Sequence, residues 1–212
     1  MVNYLPAARD GGHMGPVGFD LDMTLIDSRP AILASFAGLA QDTGTAIDLA
    51  AVDSRLGLKL EDELVFWYPP DQRAAAAEGY RRHYVQLAEQ MTTVLPGAHE
   101  AIAAVRAAGQ RAVIITAKHP ISVEPSLKAT GITADEVYTF VHGPEKAAVL
   151  RRLAAAVYVG DSPPDMAAAV AAGAQAVGVA TGSFSRGDLA AAGAGVVLDS
   201  LTGFPAWYQA FG

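Results

Sequence analysis

From residue 94 onward, the apolar positions follow two alternating rhythms. Short β-rich runs at Arg111 to Thr116, Val137 to Val141, Val157 to Gly160, Ala176 to Ala180 and Val196 to Leu198 predict strands. Between them, Pro96 to Ala108, Pro144 to Ala155 and Pro163 to Ala172 predict helices. Each has a proline near its first turn, Gly109 and Gly173 stop two of them, and Val149, Leu150 and Leu153 share one face of the second. Repeated βα units with apolar strands predict an α/β fold, a doubly wound parallel sheet covered by helices on both faces. Ligands of such sheets gather beyond the carboxyl ends of the strands.

Val17 to Asp20 predicts one more strand, after which the rhythm changes. Pro30 to Thr43 carries Ile32, Phe36 and Leu39 at helical spacing, and Asp71 to Met91 carries Tyr80, Tyr84, Leu87 and Met91 on one face. No strand pattern lies between them. The expected organisation is therefore a core of residues 15–27 and 95–212, interrupted by an all-helical insertion at 28–94. The first predicted strand begins only near Val17, so residues 1–14 read as an extension, with Met14 as another candidate start.

Composition narrows the function. The 212 residues are 51% apolar and only 17% charged, enough to bury a substantial core and unlike a disordered chain. Cysteine is absent, which excludes disulfides, thiolate metal sites and a cysteine nucleophile. A formal charge of −7 argues against nucleic acid as a partner, but leaves room for a small anion in a locally positive cleft. No stretch resembles a membrane span or an export signal, so the expectation is a cytoplasmic protein, monomer or homodimer.

Candidate chemistry sits at the strand ends. Phe19-Asp20-Leu21-Asp22-Met23-Thr24 places two carboxylates close together after an apolar strand. Asp20 alone could be a turn former, but paired like charges need a shared cation or divergent pKa values. Ile115-Thr116-Ala117-Lys118 ends a strand in a hydroxyl and a lysine. Lys146, in Gly143-Pro144-Glu145-Lys146, falls in a first helical turn, where the dipole disfavours a cation. Gly160-Asp161-Ser162-Pro163-Pro164-Asp165 ends a strand in one acid and opens a helix with another.

These four segments, in this order at successive strand ends, resemble the haloacid dehalogenase superfamily over about residues 15–200, most specifically through DxDxT and GDxxxD. The helical insertion resembles the cap of the branch that includes phosphoglycolate phosphatases, pyrophosphatases and β-phosphoglucomutases. The resemblance implies a Rossmann-like core and a phosphatase acting on a small phosphorylated metabolite through an aspartyl-phosphate. It makes Asp20 the nucleophile, Asp22 the acid and then the base, and Thr24 a residue that positions Asp22 and the motif loop. Thr116 would bond the phosphoryl group and Lys146 would offset its charge. Mg²⁺ would be held by Asp20, the Asp22 backbone carbonyl and Asp161, with Asp165 as a further ligand or a partner behind them. Lys118 is expected near the phosphate.

Two departures separate the chain from the named enzymes. His142-Gly143-Pro144-Glu145-Lys146 stands where a KPxP-type loop is usual, and Ala117 where asparagine often follows the hydroxyl residue. Within the insertion, Arg55 and Lys59 flank Gly57 and could face a second anionic group of the substrate. Phe66-Trp67-Tyr68 reads as packing of the insertion, and Arg81-Arg82-His83 as a solvated face. Alternatives within the resemblance are a phosphomutase, a pyrophosphatase or a nucleotidase. A phosphoacceptor signalling domain shares the strand-end Asp, hydroxyl and lysine, but Asp22 and the insertion tell against it.

Overall fold

A computed structural model describes residues 14–212. The expected extension, apart from Met14, lies outside the described residues. Six parallel strands form the sheet: β1 (Val17–Phe19), β4 (Ala112–Ile115), β5 (Glu136–Tyr138), β6 (Val157–Gly160), β7 (Gln175–Val179) and β8 (Val196–Leu198), ordered β5-β4-β1-β6-β7-β8. β1 lies between β4 and β6, with Val17 opposite both Ala112 and Val157. The first motif is thereby brought beside the second and fourth.

Side-chain alternation divides the core between the two faces of the sheet. Val17, Phe19, Ile114, Val159 and Val177 pack with α5 (Ala98–Ala107) and α10 (Phe204–Phe211). On the other face, Val113, Ile115, Tyr158 and Ala176 pack with α7 (Gly143–Leu153), α8 (Pro163–Ala172) and α9 (Arg186–Ala191). The chain is thus a doubly wound α/β fold. Gly18 is needed at the centre, because a Cβ there would stand 2.8 Å from the buried Tyr158 ring.

Between β1 and β4 the chain runs through α1 (Arg29–Thr43), α2 (Leu49–Ser54), α3 (Leu60–Glu63) and α4 (Arg73–Met91). These helices have their own apolar cluster, with Phe36 and Leu39 of α1 set against Tyr80 and Tyr84 of α4. The insertion is not all helix. β2 (Ile26–Asp27) and β3 (Thr93–Val94) form an antiparallel ribbon at its base, too short for its period to register in the sequence.

Other boundaries also move. The strand expected at Val137 to Val141 ends at Tyr138, because Phe140 turns out of the sheet with φ 59°. α6 (Pro120–Thr130) gave no apolar signal: most of its buried face is Ser122, Ser126 and Thr130, and Pro125 lies inside it. The Ser126 and Thr130 hydroxyls stay satisfied by bonding carbonyls within the helix. No helix among the described residues is long and apolar enough to cross a membrane.

Candidate active site

The carboxyl ends of β1, β4 and β6 open on one cavity of about 130 Å³, roofed by the insertion. Asp20 follows β1 directly, its N–H donating to the Val159 carbonyl at 2.9 Å. Beyond it the chain tightens: Met23 takes φ 59°, and the Leu25 and Ile26 N–H groups both donate to the Leu21 carbonyl. Asp20 and Asp22 line the cavity with Thr116, Lys118, Lys146, Asp161 and Asp165, which brings residues from all four segments together.

Lys146, 5% exposed, projects from the first turns of α7 and donates to Asp20 Oδ1 at 2.8 Å and Asp165 Oδ1 at 2.6 Å. The structure buries this first-turn lysine between two acids. Burial opposes its charge, but Asp165 and Asp20 together hold it well above its usual range. Asp165 also accepts from Ser162 Oγ at 2.5 Å and Tyr158 Oη at 3.3 Å. Gly160 permits this packing, since a Cβ there would fall 2.5 Å from Asp165 Cβ.

Asp20, Asp161 and Asp165, all buried, offer carboxylate oxygens within 4.8 Å of one another. Burial, with Asp165 and Asp22 adding repulsion against the pull of Lys146, raises Asp20 to about 7. Burial and the neighbouring Asp165 and Asp20 also push Asp161 well above the carboxylate range. Four acids face two lysines in this cluster, a net formal charge of −2. An all-oxygen donor set with that charge fits a hard divalent cation such as Mg²⁺. The cradle is tight as well, for a Cβ on Gly182 would stand 1.9 Å from Asp161 Oδ2.

Thr24 differs from expectation. Its hydroxyl donates to Asp161 Oδ1 at 3.2 Å, not to Asp22. Asp22 is held instead by Ser28 Oγ at 2.5 Å and Lys118 Nζ at 2.9 Å, both on Oδ1. Burial opposes the charge of Lys118, yet Asp22 and the Tyr84 and Tyr80 hydroxyls keep it above the ordinary lysine range. Thr116, nearly fully buried, accepts from the Lys118 N–H at 3.1 Å.

The insertion contributes Ile32, Phe36, Val52, Leu56, Leu58 and Leu60 to the cavity. Arg55 also lines it, but it is not free for an anion: Nε and Nη2 donate to Glu63 at 2.8 and 2.6 Å, and the guanidinium stacks 4.2 Å over Phe66. Trp67 Nε1 donates to the same carboxylate. Lys59 lines the cavity half-buried. Arg81 departs from the expected solvated face, pairing with Glu61 on the cavity wall. Sequence reasoning did not identify Ser28, Ser162, Tyr84, Tyr158 or Gly182. Ser28 and Ser162 occupy N-cap positions, but neither hydroxyl caps its helix, since each donates to an acid of the cluster.

The chain is similar to known proteins over most of its length. Residues 17–179 match the model of the haloacid dehalogenase-like hydrolases. A phosphoglycolate phosphatase of Cupriavidus necator is 30% identical, the match covering 88% of this chain and 90% of that one. A phosphoglycolate phosphatase of Cereibacter sphaeroides is 33% identical over 76% of this chain and 82% of its own. The fold is shared with a haloacid dehalogenase-like hydrolase of Streptococcus pneumoniae, at TM-score 0.80 and 21% identity, covering 92% of this chain and 99% of that one. With its motif residues gathered at one end of a doubly wound sheet, and with a family model spanning most of its length, the chain belongs to the haloacid dehalogenase-like hydrolases.

Proposed function

We propose that the protein is a Mg²⁺-dependent phosphatase that hydrolyses a small phosphorylated metabolite through an aspartyl-phosphate on Asp20, with 2-phosphoglycolate as the first substrate to test. One observation supports this most: Asp20 is buried beside Lys146 and within a carboxylate cluster that fits a divalent cation. The relatives named phosphoglycolate phosphatase support the substrate class. Asp20, Asp161 and the Asp22 carbonyl would hold Mg²⁺, with Asp165 completing the cluster. The bound ion would offset the negative charge shared by the carboxylates and an incoming phosphomonoester.

In the proposed first step an Asp20 oxygen forms a bond to phosphorus while the ester P–O bond breaks. Asp22 gives a proton to the departing oxygen. In the second, Asp22 takes a proton from water as that water attacks the phosphoryl group, releasing inorganic phosphate and restoring the Asp20 carboxylate. One residue can serve both steps because the acid of the first is left as the base of the second. Lys146 and the Thr116 hydroxyl would bind phosphoryl oxygens, and the apolar walls of the insertion would exclude water.

The test is phosphate release from 2-phosphoglycolate and other monoesters with Mg²⁺ and with EDTA. Asp20→Asn should abolish turnover while leaving the fold intact by circular dichroism, and EDTA should abolish it in the wild type. Undiminished turnover by Asp20→Asn overturns the mechanism.

A further inference from the structure

We propose that Tyr84, acting through Lys118, is a positioning residue that ties the seating of the helical insertion to the placement of Asp22. The inference rests on the reading that Asp22 exchanges a proton with the leaving group.

Tyr84 lies on α4, fully buried, with its hydroxyl at the boundary between the insertion and the core. Hydrogen-bond directions there are fixed by chemistry. Ser126 Oγ donates its proton to the Ser122 carbonyl at 2.8 Å, so it must accept from the Tyr84 hydroxyl 2.9 Å away. The Tyr84 oxygen is thereby left with its lone pairs for Lys118 Nζ, which donates to it at 2.9 Å. The same ammonium stands 4.0 Å from the centre of the Tyr84 ring and 2.9 Å from Asp22 Oδ1.

A lysine side chain has many rotamers, and one tyrosine from the insertion selects among them by a hydroxyl and a ring face. Ser28, preceding α1, donates to the same Oδ1. Asp22 is thus held on one oxygen by donors that depend on the first and last helices of the insertion. Among the described residues no donor is bonded to its Oδ2, and Asp22 lines the cavity. If α4 lifts away, Lys118 loses the partner that aims it and Asp22 loses its fixed orientation.

The readout is the dependence on leaving group. An alkoxide needs a proton as it departs, whereas p-nitrophenolate leaves unaided, so misplacing Asp22 lowers kcat/KM for alkyl esters alone. That constant reports only the steps up to leaving-group departure, and not the later attack of water that both esters share. kcat/KM would be measured with Mg²⁺ on p-nitrophenyl phosphate and on the best alkyl phosphate from a panel beginning with 2-phosphoglycolate. Tyr84→Phe keeps the ring and should lower kcat/KM on the alkyl ester about 10- to 100-fold, and on the aryl ester less than about threefold. Ser126→Ala, a milder change, should give the same split at smaller size and carries the test if Tyr84→Phe does not fold. Equal loss on both esters, or no loss on either, overturns the positioning role. A wild-type enzyme inactive on every monoester overturns the phosphatase reading instead.

Discussion

Replacing Lys146 by methionine keeps most of the length of the side chain and removes its ammonium. The variant leaves Asp20 and Asp165, 7% and 2% exposed, without the donor that lies 2.8 and 2.6 Å from them. Removing one partner of a buried ion pair destabilises by about 3–5 kcal/mol. In a chain of this size each kcal/mol lowers Tm by roughly 2–4 °C, so a drop of about 6–20 °C is expected at pH 8 in EDTA. The penalty should shrink at pH 5. Asp20, raised to about 7, binds a proton in the folded protein that the unfolded chain has released above its ordinary pKa of 3.8. Between those values the folded state binds more protons, so this group's contribution to stability is present at low pH and lost as pH rises towards 7. At pH 5 Asp20 is already neutral with or without Lys146, so its share of the loss is absent there. Thermal unfolding of both proteins at the two pH values checks this. A shift below about 3 °C at pH 8, or a larger shift at pH 5 than at pH 8, would refute the account.

Two further outcomes follow from the acidic cluster. In metal-free protein, titrated Mg²⁺ should raise Tm more at pH 8 than at pH 5, because binding must displace protons from Asp20 and Asp161. Asp161→Asn should abolish that response, and an undiminished shift in the variant would remove Asp161 from the ligand set. Gly182→Ala forces a methyl group against Asp161 Oδ2, so we expect about 1–3 kcal/mol of lost stability and a weaker Mg²⁺-induced shift. Wild-type values of both in this variant would contradict the close approach of the 182 backbone.

Most of the sheet was legible because its strands are apolar runs bounded by turn residues, and β6, β8 and α8 fall where the pattern places them. α6 was hidden for a physical reason: three of its four buried residues are Ser122, Ser126 and Thr130, which leaves Val123 and the partly buried Leu127 as a short apolar contact with the core, and Pro125 lies between them. Within the site, the acids and Lys118 were legible because charged residues at the ends of apolar strands are costly unless paired, and Lys146 because a cation in a first helical turn opposes the dipole. Their supports were not. Ser28 and Ser162 look in sequence like ordinary helix caps, and only the fold reveals that their hydroxyls are turned towards Asp22 and Asp165. Arg55 shows the opposite error. A cation beside a glycine suggested an anion site, but Glu63 in the adjoining turn of the insertion already occupies it.

The small ribbon at the base of the insertion sets how freely this part of the molecule can vary. Ile26 faces Val94 and Asp27 faces Thr93, so the chain leaves the core and returns to it through one doorway, with facing Cα atoms about 5 Å apart. The closure cost of a loop grows slowly with its length, and the sheet registers only where the loop's ends lie. Helices between those ends can be lengthened, shortened or exchanged while the strand ends beneath stay in place. Diversification of what is recognised is thereby uncoupled from the chemistry performed, except at Ser28 and Tyr84, where the insertion reaches back to Asp22 and its lysine. A transplanted insertion would have to restore those two contacts before the borrowed surface could work with the resident acids.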